Sequence, residues 1–302
     1  MKLPIRLYII PLYTNKHSND YYVFNNKAND NQKIDLIWLD NILNELKFNY
    51  NILQTEICGG EITLLSDFYF EMLINLIKIN CNKISLLTNL VGINKNIINY
   101  FEIINVKYNF NGYTKEKELV FKNIEKLINQ NKIINIKSLD TSCKTNEYKI
   151  INELNNLKIK SWEIIPYHKG INSKIKQSDY SEFEKLIQKY IFLTKNMKFA
   201  FQNRLQLDEI LNIDNYNVKN IYLTPNNKLA LSNFTKNDEF ELLEFDNILD
   251  LQKKIKEMEN LRDIFCYNCN SKLRCLANRY LNLNYKGESC SGFKNLIKYY
   301  NN

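Results

Sequence analysis

Asn51-Ile-Leu-Gln-Thr-Glu-Ile-Cys-Gly-Gly-Glu61 is the most informative segment of the sequence. The run over residues 51–57 predicts a buried strand, and two adjacent glycines follow it in a chain that has only seven. Glycine adopts backbone angles that other residues avoid and allows close approach to the main chain. In parallel α/β folds, ligands bind at the carboxyl ends of strands. Gly59, Gly60 and Glu61 are therefore candidate binding residues, although a tight strand-to-helix turn explains the same pattern without a ligand.

The same alternation of strand and helix extends from Arg6 to about His168. Apolar periodicity predicts strands at about 5–13, 51–57, 83–89, 104–110, 132–139 and 160–167, with helices near 33–48, 66–79, 94–101, 114–130 and 145–158. Six such units favour an α/β fold with a parallel sheet covered by helices, as either a partial barrel or an open wound sheet.

The chain changes character after about Met197, where the repeat is expected to stop. A helix over about 181–193 precedes this point, and a β-hairpin over 218–234, turning at 225–227, follows it. A charged helix is predicted at about 248–261. We therefore expect a first domain over residues 1–196 and a second over residues 197–302.

Four cysteines close together near the end of the sequence predict a metal centre. Cys266 and Cys269 form a C-x2-C pair, Cys275 follows after five residues, and Cys290 after fourteen more. Four thiolates of this kind can converge on one tetrahedral centre. Zinc and an iron–sulfur cluster both suit the spacing, and four independent buried thiols are the alternative.

The other three cysteines, Cys58, Cys81 and Cys143, are scattered along the chain and have no partner close in sequence. We expect them to be small core or loop residues. With only two histidines in the chain, a hydrolase of the Cys-His or Ser-His kind has few possible bases.

Composition and charge exclude several classes of protein. The 302-residue chain carries 41 Lys+Arg against 33 Asp+Glu, a formal charge of +8, but only five of the basic residues are arginines. Arginine guanidinium groups form the paired hydrogen bonds by which proteins recognise phosphates and base edges. Because the chain has so few arginines, a nucleic-acid partner is not expected. No apolar run reaches the roughly 18 residues of a membrane span, and Arg6 and Pro11 interrupt the apolar N-terminal segment. A cytoplasmic protein without membrane contact is expected.

Together, the turn at 59–61, the hairpin at 221–234 and the cysteines at 266–290 resemble the radical S-adenosylmethionine superfamily. The resemblance is to members with a C-terminal SPASM domain that modify ribosomally synthesised peptides. It implies a partial (β/α)6 barrel of the radical S-adenosylmethionine type and a small Cys-rich SPASM-like domain. It also implies that Gly59, Gly60 and Glu61 lie near the methionine moiety of the cofactor.

The sequence departs from this family where the catalytic iron–sulfur cluster would bind. The C-x3-C-x2-C loop of the family follows the first strand, and Thr14, Ser18 and Tyr21 stand in its register here. No cysteine precedes Cys58. These side chains do not replace thiolates as cluster ligands, so radical chemistry is not expected and the chain is interpreted as leaning away from an enzyme.

A second departure concerns the two auxiliary clusters of complete SPASM domains. The inner cluster of the family uses a cysteine that ends a G-x4-C hairpin and another that follows the C-x2-C-x5-C run. Asn227, Ser232 and Arg279 stand in those registers here, whereas all four positions of the outer cluster are cysteine. The resemblance thus implies one retained auxiliary centre, a 4Fe-4S cluster or zinc, at Cys266, Cys269, Cys275 and Cys290.

Cluster-less SPASM proteins are partners of ATP-grasp ligases in peptide-modifying systems, and the chain resembles these. The implied function is that of a peptide-binding partner or accessory maturase, with a precursor peptide and a modifying enzyme, such as an ATP-grasp ligase, as partners. S-adenosylmethionine is then doubtful and the Gly-Gly-Glu turn vestigial. One alternative is an enzyme that reuses the cofactor pocket for non-radical chemistry such as methyl transfer. Another is a four-cysteine zinc adaptor protein.

Overall fold

A computed structural model of the chain describes residues 2–13, 32–59, 62, 65–91, 95–111, 114–144, 146–167, 178–212, 218–234, 240–265 and 296–297. The strands are β1 (Leu3–Ile9), β2 (Tyr50–Ile57), β3 (Ile84–Thr88), β4 (Ile103–Lys107), β5 (Ile133–Leu139), β6 (Ser161–Ile165), β7 (Ala200–Phe201), β8 (Lys219–Thr224), β9 (Lys228–Phe234) and β10 (Phe240–Phe245). The helices are α1 (Leu36–Asn49), α2 (Asp67–Asn80), α3 (Lys95–Asn99), α4 (Thr114–Asn129), α5 (Glu147–Asn156), α6 (Tyr180–Leu193), α7 (Gln202–Asn212) and α8 (Ile248–Phe265).

All of these strands join one sheet in the order β10-β9-β8-β1-β2-β3-β4-β5-β6-β7. Strands β1 to β7 are parallel neighbours connected through helices, and β8 adds parallel to the other side of β1. Strands β8, β9 and β10 then form an antiparallel meander. A parallel sheet in which helices connect successive strands confirms the predicted α/β class.

Alternation along the strands gives the sheet two different faces. On β1, Ile5, Leu7 and Ile9 are fully buried and belong to the same core as residues of α1 and α2, such as Leu43 and Leu73. We call this the helix-covered face. Its burial of apolar surface, at about 25 cal/mol per Å², is the main favourable contribution to folding. The opposite side, here called the polar face, carries the alternate residues of each strand.

Local signals in the sequence define where the helices begin. The Asp35 side chain accepts a hydrogen bond from the Trp38 amide at 2.7 Å and caps α1, and Asp179 caps α6 in the same way. Such caps satisfy amides that lack a partner inside the helix. These residues mark where each strand-to-helix connection ends. The connections lie at the carboxyl ends of the parallel strands, where candidate ligands would bind.

Three elements, β7, α7 and β10, were not predicted, and one prediction was wrong. The repeat does not stop after about Met197, because β7 pairs parallel to β6 and α7 follows it. With only two residues, β7 gives no apolar run that periodicity could detect. The hairpin and its turn are confirmed, but β10 adds a third strand to it. Residues 219–245 thus share a sheet with β1, and the division at residue 196 stays a prediction.

Within the described ranges, no helix combines the length and the apolar character needed to cross a membrane.

Candidate functional site

Gly59 lies at the carboxyl end of β2, beside the segment that follows β1. Its φ of +101° is in the region that side chains disfavour. A Cβ added there would overlap the side chain of Ile10 and lie 3.2 Å from the carbonyl oxygen of Leu12. Next to it, the Cys58 amide donates to the carbonyl of Ile9 at 2.9 Å. Only glycine fits this position without strain.

The position of Gly59 tests whether the described part of the turn fits a bound cofactor. The space beside its Cα is filled by the Ile10 side chain, which is fully buried. On the Cβ side of Gly59 there is thus no room for a ligand, and the role of the turn in binding stays a prediction. Gly60 and Glu61 lie outside the described residues, as do Thr14, Ser18 and Tyr21.

A hydrogen-bonded chain of polar side chains crosses the polar face from β2 to β6. Asn105 on β4 donates to Glu56 and contacts Ser85 at 3.3 Å. Asn135 on β5 donates to the Asn105 side-chain oxygen at 3.0 Å, and Ser161 on β6 donates to the Asn135 oxygen at 2.8 Å. We call these five residues the polar ladder. Hydrogen-bonded networks of this kind specify one arrangement of the strands that carry them.

An ion pair joins the polar ladder to Lys137 on β5. The Lys137 ammonium donates to both carboxylate oxygens of Glu56, at 2.8 Å to Oε2 and 3.1 Å to Oε1. The Glu56 side chain is 4% exposed and the Lys137 side chain 18%. Removing such charges from water is costly unless they are paired and hydrogen-bonded, and here both conditions are met.

The charge state of this pair follows from its surroundings. Burial lowers the pKa of Lys137, but the carboxylates of Glu56 and Glu163 outweigh burial, so the net pKa lies above the ordinary lysine value. Burial also raises the pKa of Tyr8, and Glu56 raises it further. Lys137 therefore stays charged and Tyr8 stays a neutral phenol at neutral pH. Because Glu56 accepts from Lys137 and Asn105, it is poorly suited to act as a general base.

Sequence reasoning missed the polar ladder, although its signal is present. Polar residues recur with a period of two in several strands, at 54 and 56, 105 and 107, 135 and 137, and 161 and 163. In a buried parallel sheet this alternation indicates a polar second face. The apolar half of this pattern predicts the strands, and the polar half indicates which residues line the second face.

Three cysteines among the described residues are buried free thiols. Burial raises the pKa of the Cys58 thiol to about 12, and the pKa values of Cys81 and Cys143 are also raised by burial. Thiols of this kind are neither nucleophiles nor ready metal ligands at neutral pH. The prediction that they are core or loop residues is confirmed.

The predicted metal ligands Cys266, Cys269, Cys275 and Cys290 lie outside the described residues. Within the described ranges, no group of three or more His, Cys, Asp or Glu side chains could hold a metal ion. The described structure therefore contributes no metal centre of its own.

The hairpin places two of the residues that depart from the SPASM pattern. Asn227 has a φ of +58° in the turn, and its side-chain oxygen accepts a hydrogen bond from the Asp35 amide at 2.8 Å. Ser232 on β9 is 1% exposed, and its hydroxyl has no hydrogen-bond partner among the described residues. Asn227 thus has the left-handed backbone that glycine favours.

No protein-family model and no curated protein matches the sequence. Solved structures do resemble it. Native anSMEcpe with bound AdoMet superposes with a TM-score of 0.64 and 16% identity, over 98% of this chain and 95% of that chain. Streptococcus suis SuiB bound to S-adenosylmethionine gives 0.58 and 16%, over 76% of this chain and 60% of that chain. SuiB bound to the precursor peptide SuiA gives 0.57 and 17%, over 76% and 59%.

At these identities the likeness concerns the fold. The chain spans about 60% of the length of SuiB and nearly all of anSMEcpe. The chain shares with these proteins the mixed α/β architecture with a parallel sheet.

Proposed function

We propose that the chain is a catalytically degenerate protein of the radical S-adenosylmethionine and SPASM kind that binds peptides for a separate modifying enzyme. It would act as a partner or accessory maturase in the modification of ribosomally synthesised peptides. The fold it shares with SuiB and anSMEcpe supports this, because both have been solved with peptides: SuiB with its precursor SuiA, and anSMEcpe with Kp18Cys and Cp18Cys.

The observation that carries the proposal is the lack of any cysteine before Cys58 in a chain with this fold. Thr14, Ser18 and Tyr21 stand in the register of the three cluster thiolates. Hydroxyl groups are not the ligands by which proteins hold iron–sulfur clusters. Without that cluster there is no electron source for radical chemistry, and a binding role is what the fold can still perform.

Contacts on the polar face support the partial barrel that the proposal includes. In the proposal, the sheet curves into a partial barrel with the polar face inside. Glu56 on β2 bonds Lys137 on β5, although three strand spacings of about 4.8 Å would separate these strands by roughly 14 Å in a flat sheet. Glu163 on β6 also helps to raise the pKa of Tyr8 on β1, after the larger effects of burial and Glu56. Both interactions favour a curved sheet.

The proposal assigns no chemical step to S-adenosylmethionine. Ile10 fills the space on the Cβ side of Gly59, which is compatible with a turn that no longer serves a cofactor. The side chains of Glu56 and Lys137 neutralise each other on the polar face. In this account the interior of the sheet is a scaffold, and the chemistry is supplied by the partner, an ATP-grasp ligase being the candidate.

The proposal includes one metal centre in a SPASM-like domain over residues 197–302, after a first domain over residues 1–196. Cys266, Cys269, Cys275 and Cys290 would hold a 4Fe-4S cluster or zinc, since four thiolates suit either. The Ser232 hydroxyl has no hydrogen-bond partner among the described residues, and its place in the register of an inner-cluster cysteine supports the loss of the second auxiliary site. Metal binding would stabilise the domain.

Two binding measurements on the full chain test this proposal. The immobilised chain is panned against a phage library of random linear dodecapeptides, and we expect enrichment of a peptide family that binds it in solution. Calorimetry with S-adenosylmethionine should show no binding. Failure to enrich any peptide would contradict the proposed role, and clear binding of S-adenosylmethionine would favour the methyl-transfer alternative.

A further inference from the structure

The two ends of the sheet are different. At one end β7 has two residues, which leaves almost no edge. At the other end β10 has six residues, Phe240–Phe245, and β9 is the only strand among the described residues that pairs with it. An edge strand of this length presents a row of backbone donors and acceptors on its outer side.

Apart from its two glutamates, the β10 edge has few of the features that usually prevent strand addition. Natural edges carry lysine, proline or a bulge, or are very short. The sequence Phe-Glu-Leu-Leu-Glu-Phe contains no lysine or proline. Its register with β9 runs without a shift from the Phe240–Phe234 pair to the Phe245–Leu229 pair. The edge is thus regular, and within the described residues it pairs with no second strand.

Side chains hold β10 firmly in the sheet. The Glu244 carboxylate accepts hydrogen bonds from the Thr224 hydroxyl at 2.7 Å, the Tyr13 hydroxyl at 3.0 Å and the Asn226 amide at 3.1 Å. Leu242 packs against a small apolar cluster that includes Ile10 and Tyr222. Phe245 packs against the core of the helix-covered face. A strand fixed on both faces is a preorganised template, which lowers the entropy cost of binding.

The sequence segment that contains β10 is acidic, although the whole chain is basic. Residues 238–250 include six acidic residues and no Lys or Arg, whereas the chain carries a formal +8. From the neighbouring strand, Lys228 pairs with Asp246 at the end of this segment. The acidic segment favours a basic occupant through charge complementarity.

We propose that the β10 edge binds an extended, lysine-containing peptide segment by strand addition. The inference rests on the proposed peptide-binding role and names the surface that performs it. In this mode, main-chain hydrogen bonds give affinity and alternate side chains give specificity. The half-exposed side chains of Glu241 and Leu243 lie on the face that the added strand would extend.

The first test uses the probe Lys-Val-Lys-Thr-Lys-Val-Lys-Thr with an N-terminal fluorescein, and the same labelled peptide N-methylated at every backbone nitrogen. Both probes carry the same charge, but only the first can donate main-chain hydrogen bonds. We expect binding of the first probe by fluorescence anisotropy and about tenfold or greater loss with the second. Equal binding of both, or of neither, would overturn the inference.

Hydrogen exchange locates the bound probe. The first probe should slow exchange of amides in residues 240–245 and leave those of β3 unchanged. If the amides of β10 that point away from β9 are already as protected as those of β3 without probe, the edge is covered by the chain itself and the inference fails.

A matched pair of charge reversals completes the test. Glu241→Lys places a lysine on the edge and should weaken the first probe about tenfold, while Glu45→Lys on the exposed side of α1 should change it less than twofold. Library peptides that bind Glu241→Lys as well as the original chain would remove the edge site but leave the proposed function standing.

Discussion

The two faces of the sheet follow different physical rules. The helix-covered face is apolar along β1, where Ile5, Leu7 and Ile9 are fully buried. The polar face carries the polar ladder and the Glu56–Lys137 pair. The first face needs only hydrophobic burial to be stable, whereas the second needs each polar group to find a partner.

Removing Trp162 should produce the largest loss of stability. Its ring is fully buried on the helix-covered face and packs edge-on against Tyr190, with 4.9 Å between the ring centroids. Trp162→Ala should cost about 3–5 kcal/mol of unfolding free energy, measured by urea denaturation. Tyr148→Ala, at a side chain that is 70% exposed, serves as the control and should cost about 0.5 kcal/mol or less. Similar losses in both variants would contradict this account of the helix-covered face.

Breaking the ion pair should destabilise the polar face almost as much. Glu56→Gln leaves the charged Lys137 without its carboxylate partner, and because Lys137 is partly exposed we expect a cost of about 2–3 kcal/mol. The double variant Glu56→Gln, Lys137→Met removes both charges and should recover most of that loss. A double variant as unstable as the sum of the two single variants would show that the groups do not act as a pair.

Gly59→Ala should cost about 1–3 kcal/mol, because it adds a Cβ where φ is +101° and Ile10 fills the space. Thermal unfolding of Gly59→Ala is compared with that of Ile10→Ala and of the double variant. The added methyl should cost less when Ile10 is already truncated. An unchanged cost would place the whole effect in the backbone angle and not in the contact.

The smallest expected effect is a dependence on alkaline pH. The pKa of Lys137 is raised by its carboxylate neighbours, so its contribution to stability is fully present below the unfolded pKa of about 10.4. The contribution is lost as the pH rises towards the folded pKa. The stability difference between the original chain and Glu56→Gln should thus be constant from about pH 6 to 9 and shrink by about 1 kcal/mol or less near pH 11. A stability difference that grows with pH would contradict a raised pKa of Lys137 in the folded protein.

Much of the helix-covered face could be predicted because its pattern is periodic. The strand around Ile57 and the turn at Asn227 were both located from the sequence alone. The short strand β7 was not predicted because two residues are too few to show an apolar periodicity. Strand β10 was not predicted because its glutamates interrupt the apolar pattern. In the structure, the Glu244 carboxylate accepts a hydrogen bond from Thr224 on β8.

The candidate site was less predictable. That Gly59 faces Ile10 depends on how two distant segments of the chain meet, which local patterns do not encode. The Glu56–Lys137 pair joins residues 81 positions apart in sequence. Its strands were predicted, but the pairing requires knowledge of the sheet order. The roles of Gly60, Glu61 and the four clustered cysteines stay predictions.

The most direct test of the account is metal and sulfide analysis of the full chain purified without oxygen. The account predicts a single centre, with about four iron and four sulfide per chain, or about one zinc if the thiolates hold that metal instead. A Cys269→Ser variant should lose this metal. About eight iron per chain would contradict the account, because it would require a second cluster that the sequence before Cys58 has no thiolates to hold.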